Sequence, residues 1–151
     1  MDAFELLKKD HEKVAGIFEK LETTTERGVK TREELFTQLK TELDVHAKVE
    51  EEIFYPAIRE AQETHDITLE AYEEHAVVKR LLAELDKLSK DDETWGAKLT
   101  VLRENVEHHV EEEEGEMFSG AKKVLGSEQI EELGARMEAA KKEEKKAMVA
   151  S

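Results

Sequence analysis

The feature that most restricts this chain is a helical period recurring in four long segments, joined by short polar breaks. Residues 2–24 place Phe4, Leu7, His11, Val14, Phe18 and Leu21 in one stripe. After a threonine run and Gly28, Thr31 with Glu34 three residues on reads as a capping box for a second helix. Its face carries Leu35, Leu39, Leu43, His46, Glu50, Ile53 and Ala57, and Pro56 predicts a kink near Tyr55 and an end by about His65. Asp66 is placed to cap a third helix with Ile67, Ala71, His75, Val78, Leu82 and Leu85 on its stripe. Asp91 or Asp92 would cap a fourth, along which Trp95, Leu99, Leu102, Val106, His109, Glu113 and Met117 align. Gly120 and Gly126 punctuate the stretch after Met117. Ser127 then opens a last helix through Ile130, Leu133 and Met137 into the lysine-rich residues 141–146, which either pack across the bundle or fray.

The expected architecture is therefore all-α. A four-helix bundle fills residues 1–125, a short additional helix over 127–147 packs on it or extends from it, and 148–151 form a tail. Composition agrees: 40% of residues are charged, against one proline and seven glycines, which leaves little material for sheet turns. Most of that charge reads as solvated helix faces.

The chain also repeats itself. Asp10-His11 and Glu74-His75 are 64 residues apart, each followed by apolar residues at matching offsets (Ile17 with Leu81, Leu21 with Leu85). His46-x-x-x-Glu50 and His109-x-x-x-Glu113 are 63 apart, each with an aromatic nine residues after the histidine, Tyr55 and Phe118. Two helix pairs, each bringing one lone histidine and one His-x-x-x-Glu, imply a pseudo-two-fold bundle with a shared centre.

Residues four apart project side by side from one helix face, so each His-x-x-x-Glu is a ready clamp of one imidazole and one carboxylate. An ionised carboxylate left in an apolar core without a partner costs several kcal/mol or more. No lysine or arginine sits on these seams to neutralise Glu50 or Glu113. Two cations would: four neutral imidazoles and two carboxylates carry −2 against +4 for a diferrous pair, and a bridging hydroxide or oxide suits the remainder. A lone histidine on an apolar face is more often a hydrogen-bonded core residue than a ligand. Four of them, one per helix and with two glutamates in register, point instead to a metal centre of His11, His46, Glu50, His75, His109 and Glu113. His108 with Glu112 repeats the spacing one residue earlier, but the stripe from Trp95 through Val106 leads to His109; His108 is expected in solvent or beside the ligands, and His65 in a loop. Tyr72, one turn before His75, and Tyr55, beyond Glu50, read as packing residues within reach of the metals as hydrogen-bond donors or phenolates. Phe54, Met117 and Phe118 read as barriers to water.

Other chemistry is excluded or disfavoured. With no cysteine there are no disulfides, thiolate metal sites or cysteine nucleophiles, so nitrogen and oxygen must hold any metal. With 38 acidic against 23 basic residues the formal charge is −15, which repels phosphate backbones and anionic lipid; neither nucleic acid nor membrane is an expected partner. No signal peptide or membrane-length apolar run is visible, so the expected location is the cytoplasm.

The segments Lys9-Asp10-His11-Glu12, His46-Ala47-Lys48-Val49-Glu50-Glu51-Glu52-Ile53-Phe54-Tyr55-Pro56, Glu73-Glu74-His75 and His108-His109-Val110-Glu111-Glu112-Glu113 resemble the hemerythrin-like family, whose members carry a histidine/glutamate cation-binding domain. The resemblance spans about residues 2–125. It implies an up-down-up-down bundle around a non-haem di-iron centre, with His11, His46, His75 and His109 as terminal ligands and Glu50 and Glu113 bridging beside a solvent-derived oxygen. Two departures separate the chain from the oxygen-carrying members. Where their third helix has a second histidine four residues away, His75 has Ala71 before it and Lys79 after it. Where their fourth helix has an aspartate five residues after the histidine, the chain has Glu113 at four and Glu114 at five. Fewer protein ligands leave open positions, which favours redox chemistry on a small ligand over reversible oxygen carriage.

The function expected is a di-iron protein that binds or reacts with hydrogen peroxide, dioxygen or nitric oxide, as a catalase-like enzyme or as a redox or oxygen sensor, acting as a monomer or weak homodimer. Ligand chemistry alone also accommodates zinc or manganese. The alternatives are a non-catalytic iron-responsive binding or storage module and a metal-free helical interaction domain.

Overall fold

The computed structural model describes residues 1–150, the last two by backbone alone, and it is all-helical, with no strand among them. The helices are α1 (Ala3–Glu22), α2 (Val29–Val49), α3 (Tyr55–Ile58), α4 (His65–Lys87), α5 (Trp95–Glu112), α6 (Phe118–Val124) and α7 (Ser127–Ala150). Two π-helical turns, Glu50–Phe54 and Glu113–Met117, join α2 to α3 and α5 to α6 without a break, so the chain forms five continuous rods. The rod of α1 packs mainly on α2 and that of α4 mainly on α5, while α1 meets α5 and α2 meets α4 more thinly; α7 lies across α1 and α2.

Helix starts differ from the capping signals. Helix α2 begins at Val29, with Gly28 as its cap residue, so Thr31 and Glu34 fall inside its first turns. The reason is Arg32, buried in that turn: it bonds the Thr24 hydroxyl and carbonyl and the Lys90 carbonyl, and its guanidinium stacks 4.7 Å from the Trp95 ring. Helix α4 starts at His65 behind Thr64, whose hydroxyl is tied to the Ile58 carbonyl; Asp66 sits in the first turn, where its charge suits the helix dipole without capping it. Asp92 does accept hydrogen bonds, from the amide (2.8 Å) and hydroxyl (2.6 Å) of Thr94, but Thr94 is the cap residue of α5. Gly120 interrupts nothing, since α6 runs to Val124. Helix α7 continues past 147 to Ala150, so the expected tail is helical as far as it is described; Ser151 lies outside the described residues.

Pro56 does not end the second rod. A π turn closes its rings from residue i to i+5, and the Tyr55 amide bonds the Glu50 carbonyl. Pro56 then falls in the first turn of α3, where its missing amide hydrogen costs little.

Two apolar clusters fill the interior. One holds Val14, Phe18, Leu21, Phe36, Leu39, Leu43, Leu82, Leu85, Trp95, Leu99, Leu102 and Val106; the other holds Ala3, Phe4, Leu7, Val49, Phe54, Tyr55, Ile58, Met117, Phe118, Leu133 and Met137. Along four of the rods, those of α1, α2, α4 and α5, a histidine falls between the two, so a single polar layer crosses the interior. Helix α7 closes the second cluster. A Cβ on Gly134 would lie 2.6 Å from the Asp2 carbonyl carbon and 2.7 Å from the Ala3 amide nitrogen, so only glycine lets α7 cross the first residues this closely.

Candidate metal centre

Each of these four rods brings one histidine to that layer. His11 comes from α1, His46 from α2, His75 from α4 and His109 from α5, and Glu50 and Glu113 enter from the first residue of each π turn. All six are buried, with Glu50 0% and Glu113 1% exposed. The register at the end of α5 is decided by burial: His109 is 7% exposed, whereas the His108 side chain is 66% exposed and pairs with Glu112 at 2.8 Å.

The imidazoles point Nε2 inward. His46 Nε2 lies 2.9 Å and His75 Nε2 3.2 Å from Glu50 Oε1; His11 Nε2 lies 3.1 Å from Glu113 Oε1 and His109 Nε2 3.2 Å from Glu113 Oε2. Yet His11 Nε2, His46 Nε2, both Glu50 oxygens and Glu113 Oε1 make no hydrogen bond. Their lone pairs converge on shared points instead of on one another. Leaving such groups unpaired in a dry interior costs roughly 1–3 kcal/mol each, more when charged. Oriented nitrogen and oxygen donors with nothing to bind are what a cation would satisfy, and they divide into two sets, His11, His46, Glu113 and Glu50, His75, His109.

The outward Nδ1 atoms are all occupied. Asp10 holds His46 (2.9 Å), Glu74 holds His109 (2.6 Å), Glu51 holds His75 (2.9 Å) and Glu114 holds His11 (2.6 Å). A carboxylate on Nδ1 keeps the proton there and leaves Nε2 free as a donor to metal. The repeat explains the set: the acid before each lone histidine anchors the other histidine of its own half, and the acid after each inward glutamate anchors the lone histidine of the opposite half. From sequence alone these four read as helix-face charge; the available signal is their matched place in both halves.

Behind the anchors, Lys141 of α7 pairs with Asp10, and Lys79 reaches Glu51 at 3.2 Å. The lysine-rich segment packs on the bundle and touches the centre at one remove.

One hydroxyl breaks the two-fold. Tyr55, five residues after Glu50, donates to Glu113 Oε2 (2.7 Å) and lies 3.2 and 3.3 Å from the Nε2 atoms of His75 and His109. Its counterpart five residues after Glu113 is Phe118, with no hydroxyl to offer. Tyr72 does not reach the centre: its hydroxyl turns to the Glu51 backbone carbonyl at 3.3 Å and its ring packs edge-on against Tyr55.

The charges respond as a compensated cluster. Burial opposes protonation of His46, but Glu50 and Asp10 outweigh it and raise the imidazole well above its ordinary value. Burial is likewise outweighed at His75, and at His109, which Glu113 and Glu74 push up to about 10. Glu113, despite complete burial, is held well below the usual carboxylate range by His109 and His11. Burial and then the two glutamates raise the Tyr55 hydroxyl, so it keeps its proton. The field that draws protons onto these rings is the field a pair of cations would meet.

A cavity of about 40 Å³ opens beside the four histidines, walled by Val14, Leu43, Ala47, Val78, Leu82, Val106 and Val110. It is large enough for a molecule of two heavy atoms and too small for an organic substrate.

Residues 2–121 match the family described as hemerythrin HHE cation binding domain. The chain belongs to that family. Its hemerythrin-like fold is shared with a crystal structure of a hemerythrin HHE cation-binding-domain protein from Mycobacterium kansasii (TM-score 0.87, 26% identity, 99% of this chain and 91% of that one). The chain is 29% identical over 140 residues to an uncharacterized protein of Mycobacterium tuberculosis, covering 92% of this chain and 84% of that protein. It is 31% identical over 141 residues to a DNA nickase of a Nostoc species, covering 93% of this chain but 39% of the longer nickase. This hemerythrin-like domain carries buried histidine and glutamate clusters that could hold a metal ion, and none of its described helices is long and apolar enough to cross a membrane.

Proposed function

We propose that the chain holds two iron ions in an up-down-up-down four-helix bundle, between His11, His46, His75, His109, Glu50 and Glu113, and binds or turns over a small redox ligand, foremost hydrogen peroxide. The observation that carries this is the set of unpaired, inward donor atoms facing a cavity of about 40 Å³. Two irons held there would relay the electron pair that one peroxide gives up and a second accepts, so that two peroxides become two waters and one dioxygen.

The protein's part is positioning and exclusion. Asp10, Glu51, Glu74 and Glu114 fix the ring orientations and hold a proton on each Nδ1, so that Nε2 is the atom turned toward a metal. Tyr55 holds a proton within reach of Glu113 Oε2. The layers of Phe54, Met117 and Phe118 on one side and of valines and leucines on the other keep bulk water away from the ligands.

Metal analysis and an optical spectrum of the native protein, followed by oxygen release from added peroxide, test this directly. Two irons per chain, ligand-to-metal charge-transfer absorption and oxygen evolution are the expected results. Iron-loaded protein that leaves peroxide untouched would remove the enzymatic reading. A chain that takes up no metal would remove the di-iron reading as well.

The contact of Lys141 with Asp10 favours a second reading, an iron-responsive module in which the state of the centre is felt by α7. Melting and partner capture with and without iron separate the two. The acidic surface and the partial overlap with the nickase keep DNA nicking out of both.

A further inference from the structure

The cavity is not sealed. Besides apolar residues, histidines and the buried Asp10, its lining includes the half-buried Asp44 of α2 and the exposed Lys79 of α4, so it reaches the surface between these two helices. The two charged lips are held aside. Asp44 pairs with Lys40 at 3.1 Å, and Lys79 pairs with Glu51 at 3.2 Å. Between lip and histidines the throat is lined by Leu43 and Ala47 from α2 and by Val78 and Leu82 from α4. Lys79 stands four residues after His75. A shorter, inward side chain there would occupy this space, whereas the lysine sends its ammonium outward and leaves the room beside the centre open.

The opposite side differs. A separate surface groove between α1 and α5 is lined by His11, Val14, Ala15, Phe18, Val106 and Val110, with Glu107 and Glu111 on its rim. His11, Val14, Val106 and Val110 line both the groove and the cavity, so these side chains form the wall between them.

We propose that the opening between α2 and α4 is the route by which small ligands reach the centre, and that Ala47 and Val78 determine which molecules pass. This rests on the reading of the cavity as the ligand chamber. An apolar throat of this bore admits uncharged molecules of two heavy atoms, since an anion would shed its hydration without gaining a partner. Bulkier peroxides are excluded by size.

The test is rapid mixing of iron-loaded protein with nitric oxide, an uncharged diatomic probe. Ala47→Phe and Val78→Phe should slow association at least about tenfold while iron content and the resting spectrum stay unchanged. Ala15→Phe, at a residue that lines only the α1/α5 groove, should leave the rate within about twofold. Slowing by Ala15→Phe alone would overturn the proposal in favour of that groove, and unchanged rates in all three variants would overturn it outright. A second readout does not depend on reactivity. In zinc-loaded protein, dissolved dioxygen should enhance methyl relaxation at Ala47 and Val78 above that at Val110, and the reverse order would overturn the assignment. A wild-type iron protein inert to nitric oxide, peroxide and dioxygen, yet showing this relaxation pattern, would sink the functional reading and leave the route standing.

Discussion

Glu50 and Glu113 are the residues on which the centre turns. Each is enclosed, each comes within 3.2 Å of two imidazole nitrogens, and neither has a lysine or arginine among these partners. Replacing both with leucine should abolish metal uptake and, because buried charge is exchanged for packing, raise the melting stability of the metal-free protein by about 1–4 kcal/mol. Calorimetry on metal-free samples checks this; a fall in stability would mean that the carboxylates are satisfied without a cation. The six inward residues were legible in sequence because a polar residue on an apolar stripe is conspicuous. The four anchoring acids were not, because an outward carboxylate on a helix looks like solvated charge until the partner helix brings an Nδ1 to it. Tyr55 was read as a packing residue that could also reach the metals as a hydrogen-bond donor, but nothing set it above Tyr72, because five residues beyond Glu50 an α-helix would put it about 140° away from that glutamate.

At the scale of elements, the π turns supply what the α-period does not. By closing rings from Glu50 to Tyr55 and from Glu113 to Phe118, they bring residues five apart nearly into line. Helix positions and lengths were readable from the stripes, but these turns were not, since Phe54 and Met117 satisfy the ordinary spacing as well. The aromatic recurring after both glutamates was the available sign. Deleting the exposed Glu52 leaves Tyr55 four residues after Glu50, so an ordinary α turn should replace the π turn with Tyr55 still facing the centre. Metal content and far-ultraviolet circular dichroism should then stay the same; lost metal would show that the centre needs the π turn itself.

The docking of α7 has its own signature. Lys13 and Lys145 both lie 2.8 Å from Glu42 Oε1. Burial would raise the Glu42 carboxyl, but the two ammonium groups outweigh it and hold it below its ordinary 4.5. A depressed carboxylate contributes its full stability above the unfolded value and loses it as pH falls through the folded value. Melting temperatures measured downward from about pH 6 should therefore fall less steeply in Glu42→Gln than in the wild type. Parallel curves would show that the ion pair carries no stability.

For the whole molecule, the polar layer divides one apolar interior into two. Without cations that layer leaves buried nitrogen and oxygen atoms unpaired, so metal and folding should be linked. Free metal at about a thousand times its dissociation constant adds about 4 kcal/mol, or roughly 10 °C of melting temperature in a chain of this size. Scans with and without iron measure it, and identical curves would argue against a bound metal. The pseudo-two-fold plan at this scale was legible from the 63- and 64-residue offsets alone, because a helical layer built from two like halves places like residues face to face.

The missing oxygen at Phe118 reaches beyond packing. Since a phenol stands over the His75 and His109 side alone, two irons lodged in this layer would be unlike neighbours, one of them more easily oxidised. A half-reduced centre would park its odd electron on one side, and Mössbauer spectra should resolve two unequal quadrupole doublets that draw together in Tyr55→Phe.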